Sequence, residues 1–171
     1  VGSNNSPILV PIGDFPRDLL ERLSKRTDMR IGDKFVDLAP AWNSARRQYD
    51  SACLLAELKR IYAGVVIGAA AVDLFVPVLS FVFGEADMPG RAAIFSIHRL
   101  REEFYGLPRN AALLESRAIR ELWHEYGHTR GLAHCEDWQC VMSSSHSVAQ
   151  VDAKSDRFCL ECSAKLDALG G

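Results

Sequence analysis

HEYGHTRGLAHCEDWQCVM, residues 124–142, crowds three histidines, two cysteines and a methionine around Glu125. On a helix rising about 1.5 Å per residue, positions four apart lie on one face about 6 Å apart along the axis. His124 and His128 therefore point the same way and can share one ion. Glu125 projects beside that ion without having to bind it, the H-E-x-x-H arrangement in which the histidines hold zinc and the glutamate acts as general base. His134 stands too far along a continuing helix to reach the same ion, so the chain must turn back, and Gly131 offers the positive φ that such a reversal commonly needs. Three neutral imidazoles leave a zinc ion doubly charged with a fourth position open, the state in which bound water ionises near pH 7. A bare H-E-x-x-H also occurs as two ordinary surface histidines; Gly131 and His134 in register favour the metal. His98 and His146 lack such partners and read as ordinary side chains, His146 drawing attention because it lies downstream of the cluster.

Working outward toward the C-terminus, Cys135 and Cys140 form one short-spaced pair and Cys159 and Cys162 another. Two such pairs joined by a loop make a closed tetrahedral four-sulfur site, which props up a region with a small core of its own. Two disulfides, or four reduced thiols, are the alternatives. Cys135 adjoins His134, so the sulfur site should position the third histidine and couple the two metals. Cys53 sits among apolar neighbours in "YDSACLLAEL" and reads as a small core residue.

Toward the N-terminus the spacing predicts a β-α start: a strand in "PILVPIG" and a helix in "DFPRDLLERLSKRT", with Asp14 as its cap. A strand in "GDKFVDLA" and a helix in "QYDSACLLAELKRIY" follow. Further strands are expected in "AVDLFV", "SFVFGEA" and "RAAIFSIHRL", then a "REEFYGLPRN" connection into a long helix over "ALLESRAIRELWHEYGHTR" that ends at Gly131. A small terminal helix is expected in "FCLECSAKLDALGG". This order implies a mixed α/β (α+β) fold with a mostly parallel sheet, and the short links around residues 76–91 imply one antiparallel strand. Residues 1–171 read as a single domain, with an N-terminal subdomain over about 6–131 and a C-terminal one over about 132–171.

Twenty basic against 22 acidic residues give a formal charge of −2. No bulk positive field exists to draw nucleic acid or an anionic membrane, and the scarcity of Lys and Arg around the four cysteines argues against a nucleic-acid zinc module. The most apolar stretch, residues 61–84, is broken by Asp73 and Pro77 before reaching the roughly 20 residues a membrane span needs. The opening "VGSNNS" reads as a polar lead left by cloning, without a signal sequence. A reducing cytoplasm and a monomer are the expectations, and clustered cysteines in that compartment favour metal over disulfide.

H-E-x-x-H-x-x-G-x-x-H followed by a methionine turn resembles the metzincin metallopeptidases. The extension C-x4-C-x-M, closed by "CLEC", is similar to the archaemetzincins, zinc peptidases of archaea and vertebrates. "RQYDSACLL", "DLFVPVLSFVFGEA", "SIHRLREEFYG" and "VDAK" extend the likeness over nearly the whole chain. The resemblance implies that His124, His128 and His134 bind a catalytic zinc, that Glu125 is general base and acid, and that Met142 forms the floor beneath the metal. It assigns Cys135, Cys140, Cys159 and Cys162 to a second, structural zinc, and Phe81, Val82, Phe83 and Gly84 to an edge strand that pairs with extended substrate. Trp123 and Tyr126 are expected to pack beside the site. The implied function is zinc-dependent hydrolysis of peptides or proteins. A catalytically weak zinc- or peptide-binding protein, or a zinc hydrolase of another amide, is the rival, and Glu125, of no obvious use to a pure binder, favours the enzyme.

Overall fold

Strand β1 (Ile8–Ile12) sends alternate side chains to opposite faces: Leu9 to one hydrophobic cluster, Val10 and Ile12 to the other. The computed structural model, which describes residues 6–169, sets β1 parallel to β2 (Arg30–Ile31) on one side and to β5 (Val66–Ala70) on the other. Strand β8 (Ala92–Ser96) continues the parallel set, and β7 (Gly84–Ala86) closes the sheet as its antiparallel edge, in the order β2-β1-β5-β8-β7. A smaller sheet joins β3 (Trp42–Asn43), β4 (Gln48–Asp50) and β6 (Leu74–Phe75).

Helices cover both faces of the main sheet. Leu19, Leu20 and Leu23 of α1 (Arg17–Thr27) and Ala118, Ile119 and Leu122 of α3 (Ala111–Thr129) pack on one side. Leu54, Leu55 and Leu58 of α2 (Ser51–Ile61) pack on the other, and Asp50 caps α2 by accepting from the N–H groups of Ala52 and Cys53. Beyond α3 the chain builds a separate core of Leu132, Cys140, Val141, Met142 and Cys162, with two short helices, α4 (Val148–Ala153) and α5 (Leu160–Ala168). The expected mixed, mostly parallel fold with one antiparallel edge strand is what forms. Among the described residues, no helix is long and apolar enough to cross a membrane.

Several local expectations are corrected. "GDKFVDLA" is not a strand: after Ile31 the chain leaves the sheet, Val36 and Leu38 pack on the α2 side, and a 3-10 turn follows at Ala39–Ala41. "AVDLFV" contributes only β6; the central strand comes earlier, at Val66–Ala70, where both faces are buried and no alternation marks its ends. Asp14 does not cap α1, because Pro16 is the flanking residue and Asp14 stands too far upstream for the first-turn N–H groups. Cys53 is exposed on α2, not buried. Helix α4 has no counterpart in the sequence reading, although Ser147 and Gln150 supply its cap: the Ser147 side chain accepts from Gln150 N–H. The opening lead falls on residues 1–5, outside the described residues but for Ser6.

Candidate active site

Asn110 starts α3 by accepting from Leu113 N–H at 3.0 Å, and two turns of apolar contacts with the sheet then fix the helix in rotation. That rotation carries His124, Glu125 and His128 under the edge strand. The helix stops at Thr129; Gly131 takes φ +87°, and Leu132 N–H reaches back to Gly127 O at 3.0 Å. The reversal brings His134 to the other two histidines, as the spacing of the glycine requires.

One ligand nitrogen from each of His124, His128 and His134 lies within 4.8 Å of the others. His124 Nδ1 is 2.8 Å from Val141 O and His128 Nδ1 is 2.7 Å from Leu132 O. Nδ1–H donating to a carbonyl leaves the Nε2 lone pair free, and the two Nε2 atoms converge to 3.1 Å, as ligands of one ion do. His134 stacks on His124, ring centroids 5.2 Å apart. Burial holds all three imidazoles below their usual pKa, His124 well below, and Lys154 reinforces this in each. Three neutral nitrogen donors aimed at one point fit a zinc ion with an open position.

Glu125 is only 4% exposed, and among the described residues its Oε2 has no hydrogen-bond partner. Burial raises its pKa well above the carboxylate range; Glu121 and Glu85 add to the rise and Lys154 opposes it. The edge strand crosses directly over this carboxylate at Gly84, where a β-carbon would overlap Glu125 Oε1. Glycine there is thus a matter of space.

The sulfurs of Cys135, Cys140, Cys159 and Cys162 also lie within 4.8 Å of one another. No disulfide joins them: Cys135 and Cys159 Sγ are 3.8 Å apart, nearly twice a bond length. Backbone N–H groups point at the sulfurs, Met142 N at 3.5 Å and Cys159 N at 3.3 Å from Cys140 Sγ, and Cys162 N at 3.5 Å from Cys159 Sγ. Such donors stabilise thiolates, and one of them, from Cys162, lowers the pKa of Cys159. The set fits a closed four-sulfur metal site. Met142, fully buried, presses on α3 from below at Gly127, where a β-carbon would overlap its sulfur.

A cleft of about 480 Å³ runs past the histidines. Leu79, Phe81, Val82, Phe83 and Gly84 line it above, and Ser144, Ser145 and His146 below. Phe81–Phe83 precede β7, with Val82 bridged to Leu74, and Gly84 opens the edge strand itself. His146, read as an ordinary side chain, faces this cleft. Trp123 and Tyr126 pack on each other with centroids 5.5 Å apart, and Trp123 packs on Phe158, so both are structural. Sequence reasoning missed Glu121, whose position one turn before Glu125 was a usable signal, and Lys154, which no local pattern links to the helix.

Comparison with known proteins agrees with this fold. The model of peptidase family M54 matches residues 39–168. The archaemetzincin of Methanocaldococcus jannaschii is 40% identical over 167 residues, 94% of this chain and 92% of that protein. The crystal structure of archaemetzincin from Methanopyrus kandleri superposes with a TM-score of 0.86 at 35% identity, covering 98% of this chain and 96% of that one. That of Archaeoglobus fulgidus, complexed with malonate, gives 0.80 at 32% identity over 94% and 99%. The chain belongs to peptidase family M54, the archaemetzincin family of zinc metallopeptidases.

Proposed function

We propose that the chain hydrolyses peptide bonds in peptides or proteins at a zinc held by His124, His128 and His134, with Glu125 as general base and then general acid. Zinc bound there supplies a Lewis acid that polarises a carbonyl and acidifies water. Glu125 takes a proton from the attacking water on its carboxylate and delivers it to the nitrogen of the leaving amine. The edge strand that opens at Gly84, with Phe81, Val82 and Phe83 leading into it, pairs with an extended substrate backbone, laying the scissile bond beside Glu125. Cys135, Cys140, Cys159 and Cys162 hold a second, structural zinc, and Met142 supports the helix of the triad. Residues 6–131 and 132–171 act as upper and lower halves of one domain. We further assign a monomer in a reducing cytoplasm, where unpaired thiols persist.

The observation that carries this reading is the buried Glu125 carboxylate, with one oxygen unpartnered, beside three convergent imidazoles. A buried polar group left unsatisfied costs about 1–3 kcal/mol, a cost that a proton-transfer role explains and packing does not. The experiment incubates a diverse peptide mixture with zinc-loaded wild type and with Glu125→Ala, and reads cleavage by mass spectrometry and zinc by elemental analysis. Cleavage by wild type alone at equal zinc content is expected, with turnover in the variant reduced on the order of 10²–10⁴-fold. Equal cleavage by both would remove Glu125 from the mechanism, and no cleavage by either would turn the reading toward a binding protein.

A further inference from the structure

Behind the triad lies a charge pair that the hydrolytic scheme does not use. Lys154 and Glu121 are each 2% exposed, and Lys154 Nζ stands 3.0 Å from Glu121 Oε1, an ion pair whose angle falls short of a hydrogen bond. The same Nζ donates to Ser143 O at 3.3 Å and lies 3.5 Å from His124 Nδ1. Burying two charges costs several kcal/mol per ion before their attraction is counted, and apolar side chains of similar volume often pack at no loss. Packing alone therefore does not account for the pair.

Its placement does. His124 Nδ1 is already engaged with Val141 O at 2.8 Å, so the lysine meets it as a positive pole and not as a hydrogen-bond donor. A cation there withdraws electron density from the imidazole and repels any cation at its other nitrogen; the Glu121 carboxylate acts with the opposite sign. Water screens neither at this burial. The lysine is held in place independently of the histidines. Arg117, 4% exposed, binds both oxygens of Asp152 at 2.8 and 2.7 Å, Leu100 O at 2.8 Å and Glu102 Oε1 at 2.7 Å. That clamp fixes α4 on α3, and Lys154 is the residue that follows α4.

We propose that Lys154 and Glu121 are positioning residues that set the metal affinity of the histidine triad in opposite directions, the lysine weakening it and the glutamate restoring it. The proposal rests on the triad being a metal site. A pair that merely propped the wall at Ser143 would behave differently: loss of either member would loosen the site and weaken the metal.

The test titrates the metal-free chain with Co²⁺ against a competing chelator. Visible spectroscopy separates the histidine site from the four-thiolate site, whose sulfur-to-cobalt bands are distinct. Lys154→Met is expected to bind Co²⁺ at the histidines on the order of tenfold more tightly, and Glu121→Gln on the order of tenfold more weakly. Glu121→Gln/Lys154→Met should return close to wild type, and Lys154→Arg, which keeps the charge, should match it. Parallel weakening in both single variants, or no change in either, overturns the proposal. If Lys154→Met fails to fold, Glu121→Gln decides, since it keeps the shape and removes only the charge; unchanged affinity there refutes the proposal. A wild-type triad that takes up no Co²⁺ while the thiolate site fills would instead overturn the functional reading on which the pair depends.

Discussion

Gly84 passes so close over Glu125 that one added methyl would displace the carboxylate. Gly84→Ala is therefore expected to lower kcat by on the order of 10²-fold, the scale of an ångström's misplacement, while zinc content and Tm stay near wild type. Peptide turnover beside a thermal melt checks it; unchanged kcat would mean the carboxylate is free to move. His98 supplies a prediction away from the metals. Its ring packs on Phe104 with centroids 5.4 Å apart, and burial lowers its pKa, with Arg101 and Arg99 contributing and Asp73 opposing. A histidine whose folded pKa is depressed gives its full stability above its unfolded value of about 6.5 and loses it as the pH falls through the folded value. His98→Gln should therefore flatten the decline in unfolding free energy below pH 6.5, read from urea denaturation at pH 7.5 and 5.5. The convergence of His124 and His128 is legible in the chain because four residues is one helical turn. The placement of Lys154 is not, since its neighbours lie 30 and 33 positions away.

Helix α4 is six residues long, too short to persist without its cap and its clamp. Ser147→Ala removes the acceptor for Gln150 N–H and is expected to cost about 1 kcal/mol, seen as a lower midpoint in urea. The long helix α3 was readable throughout because one apolar stripe marks it. The strands were readable in proportion to their exposure on one face. β1 was bounded by Gly13, whereas β5, buried on both sides, lies inside an apolar run with no internal punctuation and was placed several residues late. The expected strand at residues 32–39 failed for a different reason: its apolar residues serve the α2 side of the sheet from a crossing segment, and their spacing alone cannot tell a crossing from a strand.

Across the whole molecule, the two candidate metal centres are joined by one peptide bond, His134 to Cys135. The position of His134 comes from Cys135, whose N–H reaches Met142 O at 3.0 Å and whose sulfur sits in the cysteine cluster. Cys162→Ser should therefore lose the thiolate-site metal and also weaken the histidine site, on the order of tenfold or more by Co²⁺ titration. Independent affinities would show that the two centres are not coupled. The chain by itself determined which histidines and cysteines would cluster, the turn at Gly131 and the mixed, mostly parallel sheet, because each follows from short-range periodicity or from spacing within a few tens of residues. Only the tertiary structure decided that the edge strand closes over Glu125, that His146 faces the cleft, that Cys53 is exposed, and that the lysine following α4 stands behind the first histidine. The positions of Glu125 and the lysine depend on the rotation of α3 against the sheet and on the clamp of Arg117 to Asp152. They rest on contacts between distant segments, set by the packing of the whole core and carried by no local pattern.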